Sequence, residues 1–146
     1  MRVAFLIHRF EGGGAERQLA ILAAELRQLG HEVQVITFYS GGQHLAFLER
    51  VGVPVRTLEK AGRYDIFAPL ARLVRIMDAF EPQVLHGYMH TSNLVASFLA
   101  PFFPRTRIVW GIRSTRLDLR AYPIGFRILD VLERLFRNQP DLILAN

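Results

Sequence analysis

The chain has 146 residues, 51% of them hydrophobic and 21% charged, and it contains no cysteine. That length suits one domain with a real core, and the composition excludes a disordered tail, a disulfide framework, a thiolate metal site and a cysteine nucleophile. Arginine plus lysine is 18 against 13 acidic residues, a formal +5. Lys60 is the sole lysine, so the charge is nearly all guanidinium, which suits phosphate or carboxylate partners unless it is a compositional bias.

The apolar run VAFLI, within residues 2–10, reads as a strand buried on both faces. Gly12, Gly13 and Gly14 follow. Residues 15–29 read as a helix, with Leu19, Leu22, Ala23, Leu26 and Leu29 at helical spacing and Gly30 placed for an αL cap. VQVITFY is a second strand, residues 43–51 a short helix closed by Gly52, and residues 54–58 a third strand. Asp65 is the expected N-cap of a helix over residues 66–80, whose stripe is Leu70, Leu73, Val74, Met77 and Phe80. VLHGYM forms strand four, residues 91–99 a helix stopped by Pro101, and IVWGI strand five. Residues 117–138 form a basic amphipathic segment, and DLILAN closes the chain as strand six. The longest near-apolar run, residues 94–103, is far short of the roughly 20 residues of a membrane span, and the opening run is too short for a signal peptide.

This alternation predicts a Rossmann-like three-layer α/β/α sandwich, an open parallel sheet of about six strands with right-handed crossovers. In the strand order 3-2-1-4-5-6, ligands bind between strands one and four, beyond their carboxyl ends. The EGGGAE turn and the Tyr88, Met89, His90 turn then share one crevice, and residues 111–116 lie on the same rim.

Glycines admit a ligand close to backbone, and a helix start attracts anions. A dinucleotide fingerprint is not present: Arg17 stands where its third glycine belongs, and strand two ends in Phe38 and Tyr39 without an acid for a ribose. A tight turn without a ligand is the plain alternative. His86 and His90 straddle a strand end with no acid nearby, so no metal site is expected. His86 reads as a core histidine and His90 as the residue facing substrate. Arg113 and Ser114 follow strand five, where an arginine holds a phosphate or carboxylate, or else pairs with Asp118. Arg120, Arg127, Arg134 and Arg137 give the late segment a basic face, suited to an anionic membrane surface or simply to water. Phe102 and Phe103 beside Arg105 read as an interfacial anchor or a packed loop.

The opening IHRFEGGGAERQLAILAAELRQLGHEVQVIT, then LHGYMHTSNL, VWGIRSTRLDLRAY and DLILAN, resembles the amino-terminal domain of retaining GT-B glycosyltransferases of family four. The resemblance implies half of a GT-B fold over residues 1–146, the acceptor side, with a carboxy-terminal donor-binding domain missing. It implies a hexose moved with retention from a nucleotide-sugar donor to a saccharide or lipid-linked acceptor, without metal or other cofactor. Gly13, Gly14 and Tyr88 would contact the donor, Arg113 and Ser114 would line the acceptor side, and His90 would serve the reaction. Many members carry His-x-His after strand four; here Tyr88 takes the second histidine's place and His90 follows two residues later. The isolated chain is expected to be inactive. A cytoplasmic location follows, with peripheral contact at the inner face of the membrane as a further expectation. A stand-alone nucleotide- or sugar-binding module is the alternative; nucleic acid has only net charge in its favour.

Overall fold

The computed structural model describes residues 1–62, 64–112, 131–132, 134–136 and 138–145. Strands and helices alternate as β1 (Arg2–Ile7), α1 (Gly14–Gln28), β2 (Glu32–Thr37), α2 (Leu45–Arg50), β3 (Val55–Thr57), α3 (Phe67–Phe80), β4 (Val84–Tyr88), α4 (His90–Leu99), β5 (Arg107–Ile112) and β6 (Leu142–Ala145). Every strand pair is parallel, in the order β3-β2-β1-β4-β5-β6. The expected Rossmann-like sandwich is therefore present, and strand order reverses between β1 and β4.

Strand β1 shows why its sequence does not alternate with polar residues. Val3, Phe5 and Ile7 pack with Leu19, Ala20 and Ala23 of α1 and Leu48 of α2. Ala4 and Leu6 pack on the other face with Leu73 and Met77 of α3 and Ala96 and Leu99 of α4. Both faces are covered, so both must be apolar. Each large side chain fully buried in this way contributes about 1.5–3 kcal/mol.

Helix ends follow local chemistry. The Gly30 N–H donates to Arg27 O at 3.1 Å and the His31 N–H to Leu26 O at 3.0 Å. Gly30 has φ +84, so α1 closes on the expected left-handed glycine. The start of α3 differs from expectation. Ile66, not Asp65, is its N-cap position, with no side-chain cap. The Asp65 carboxylate instead accepts the Ala61 N–H at 2.9 Å, closing the turn ahead of the helix. Pro101 ends α4 at Leu99, and a single 3-10 turn, Ala100–Phe102, follows.

Two contacts lock α4 onto the sheet. The Trp110 indole N–H donates to Ser97 Oγ at 2.9 Å, and Asn93 Nδ2 donates to Gly111 O at 3.3 Å. A Cβ on Gly87 would lie 2.9 Å from both Asn93 N and Ser92 C. Only glycine lets the helix start come this close to β4.

Of the basic segment expected over residues 117–138, Val131, Leu132, Arg134, Leu135 and Phe136 are described and helical, and Phe136 packs against the α3/α4 core. Arg113, Ser114, Arg120, Arg127 and Arg137 lie outside the described residues. Phe103 packs on the same core while Phe102 is exposed. Among the described residues no helix is long and apolar enough to cross a membrane.

Candidate functional site

Strands β1 and β4 pair with Leu6 beside Gly87. Continuing that register sets His8 level with Met89, on strands about 4.8 Å apart. At this level the two chains part, one toward the glycine turn and α1, the other into α4.

The glycine turn is shaped by its neighbours. Phe10 bridges to Gly42, and the Gln43 N–H donates to Phe10 O at 3.2 Å. Gly12 has φ +93, and a Cβ there would meet Gln43 Oε1 at 2.5 Å. Gly13 is the N-cap of α1 and supplies no side-chain cap. Glu16 folds back, its Oε2 lying 2.3 Å from where a Gly13 Cβ would stand. A carboxylate therefore already sits near the positive helix end, and an anionic ligand at this turn must displace it. Around Gly14 a Cβ would meet nothing within 4 Å. The turn is thus open at the residue expected to approach a ligand.

Across the switch point, Met89 has φ 69 and ψ 168 and precedes α4 as its N-cap. This region is costly for a residue with a side chain, on the order of 1–3 kcal/mol. Its N–H donates to Gly111 O and its carbonyl accepts the Asn93 N–H, each at 3.0 Å. Those bonds hold the sharp turn that makes His90 the first residue of α4. His90 is half-buried there. In the same turn of α4 Ser92 and Asn93 are 1% exposed, and among the described residues neither Ser92 Oγ nor Asn93 Oδ1 has a hydrogen-bond partner.

Tyr88 requires correction. Its ring is fully buried, packed 4.6 Å from His86 and 6.1 Å from Phe5 between centroids. Strand alternation turns it toward the α1/α2 core, so its side chain lines no crevice. His86 is the buried core histidine expected.

A cluster not foreseen stands at the ends of β1 and β2. The His8 ring lies 5.0 Å from Tyr39 and 6.0 Å from Phe38 between centroids. The Arg9 guanidinium sits 4.5 Å over the Tyr39 ring and pairs with Glu11 at 2.8 Å. Burial holds His8 below its usual 6.5, Arg9 lowers it further, Glu11 opposes, and Lys60 again lowers it. The signal lay in two polar residues directly after an apolar run, at a strand's carboxyl end. Among the described residues no three metal-ligating side chains come together. An open cavity of 480 Å³, lined by Arg2, Gln83, Phe102 and Arg105 among others, lies at the opposite end of the strands.

The family model of glycosyltransferase family 4 matches residues 12–146. The chain belongs to glycosyltransferase family 4. Solved structures share the fold of this family-4 chain. Anabaena HepE in complex with UDP is 22% identical with a TM-score of 0.76, over 100% of this chain and 38% of that one. Sucrose-phosphate synthase from Thermosynechococcus elongatus is 13% identical with a TM-score of 0.69, over 98% of this chain and 41% of that one. UDP-GlcNAc 2-epimerase from Methanocaldococcus jannaschii is 11% identical with a TM-score of 0.59, over 99% and 39%. None of the curated proteins matches the sequence significantly. The family-4 chain thus spans about two-fifths of the length of these structures and corresponds to one Rossmann-like unit of the GT-B architecture.

Proposed function

We propose that this chain is the acceptor-side unit of a retaining hexosyltransferase that takes its sugar from a nucleotide donor. One observation carries the reading: in a family-4 chain, the open glycine turn and the strained start of α4 meet at the switch point. Gly13 and Gly14 give room for a donor phosphate or sugar, which gains about 0.3–1 kcal/mol from the helix end. His90 presents its ring at the reacting carbon. Arg113 and Ser114 keep the acceptor-side role that the resemblance implies. The HepE complexes with UDP and with UDP and glucose make a UDP-linked hexose the first donor to try. The acceptor is a saccharide or lipid-linked saccharide, and neither metal nor cofactor takes part.

The test uses the intact enzyme and nucleotide release from a panel of nucleotide sugars. A Cβ at Gly14 meets nothing within 4 Å, so Gly14→Ala keeps the fold and lowers transfer at least about tenfold by occupying ligand space. His90→Ala lowers turnover about 10²-fold or more. Unchanged transfer in both variants overturns the assignment, and chelator treatment leaves the rate unchanged.

A further inference from the structure

Met89 adopts φ 69 and ψ 168, a conformation that a residue with a side chain keeps only where its surroundings over-determine it. Its backbone reaches in two directions: its N–H donates to Gly111 O and its carbonyl accepts the Asn93 N–H, each at 3.0 Å. The Asn93 side chain closes the circuit. Its Nδ2 donates to the same Gly111 O, at 3.3 Å. One carbonyl of β5 thus takes a bond from each end of the first turn of α4. His90 lies between those two ends.

Packing alone does not account for an amide at this position. Asn93 is 1% exposed, and among the described residues its Oδ1 has no hydrogen-bond partner. A buried acceptor left unpaired destabilises the fold. Strand β4 must also be bare beside it, since a Cβ on Gly87 would stand 2.8 Å from that Oδ1. Four positions on, Ser97 ties α4 to β5 by accepting the Trp110 indole N–H at 2.9 Å. The helix is therefore anchored to β5 without Asn93. What the amide adds is the geometry of the first turn.

We propose that Asn93 is a positioning residue, whose amide sets the Met89 turn and through it the direction of the His90 ring. The proposal rests on the transferase reading, in which His90 faces the reacting carbon.

Nucleotide release by the intact enzyme tests it, with kcat and KM measured separately. Asn93→Ala lowers kcat about tenfold or more and changes the donor KM less than about threefold. Asn93→Leu keeps a branched side chain and removes the unpaired oxygen, while Gly111 O retains the Met89 N–H. It equals or exceeds native stability in urea and shows the same loss of kcat. Ser97→Ala releases the other anchor, and kcat stays within about twofold. A loss there as large as in Asn93→Ala makes the effect a general loosening of α4 and overturns the proposal. Native kcat in Asn93→Leu overturns it too, and so does loss of the fold in both Asn93 variants. A cycle with His90→Ala separates the proposal from the reading beneath it. In the His90→Ala background, Asn93→Ala lowers kcat by no more than about twofold, because its effect passes through that ring. Losses that multiply overturn the positioning role and leave the role of His90 standing. Full turnover in His90→Ala overturns both together.

Discussion

His8 illustrates how one residue's surroundings set its chemistry. Its proton affinity is held down by burial first and by Arg9 next, with Glu11 opposing and Lys60 adding to the fall. The unfolded chain therefore takes up that proton earlier as pH drops. Stability is unaffected by His8 above about 6.5 and declines as pH falls below it, until the folded histidine also titrates. Urea midpoints between pH 5 and 7 should fall less steeply with acid in His8→Gln than in the native protein. Gly87 gives a second residue-scale outcome. Gly87→Ala forces its Cβ against backbone of α4, so a loss of about 1–3 kcal/mol is expected from urea denaturation. Much at this scale was not legible in the sequence. The Met89 backbone, the inward turn of Tyr88 and the Glu16 carboxylate over Gly13 arise from packing between distant segments, and no local pattern states them. Tyr88 was half legible, since strict alternation from Val84 and His86 puts it on their face.

At the scale of elements, the apolar runs and helical stripes were enough. Strands β1, β2, β4 and β5 fall where Val, Ile and Leu concentrate, because a sheet covered on both sides leaves few polar positions, here Gln34, Thr37 and His86. Gly30 and Pro101 mark helix ends through φ and a missing N–H, properties that act within one turn. Asp65 misled because a short acid can cap a helix or close a turn with equal local merit; Lys60 and Arg72 tip the loop toward the turn. The joint between α4 and β5 is measurable. Trp110→Phe leaves the buried Ser97 hydroxyl without its indole partner. The single change should cost about 1–3 kcal/mol, and a cycle with Ser97→Ala should show coupling near 1 kcal/mol in thermal or urea unfolding.

At the scale of the whole molecule, strand order was legible because right-handed crossovers leave few ways to wind alternating strands and helices. The candidate crevice followed from that order, and its glycine turn and His90 were named from sequence. What topology could not give is which loops touch above the sheet; the His8, Tyr39 and Lys60 neighbourhood depends on loop paths. The order also has a consequence in time. Strand β1 leaves the ribosome first yet sits at the centre, between β2 and β4. Its partner on one side arrives after about 30 residues and on the other after about 80, several seconds later at cellular rates of roughly 5–20 residues per second. Through that interval a flat apolar edge waits open. Ribosome-bound chains stalled before residue 84 should therefore recruit holdase chaperones strongly in crosslinking experiments, and chains released from the same point should aggregate. Extending the stalled chain until β4 and β5 have both emerged should reduce both behaviours.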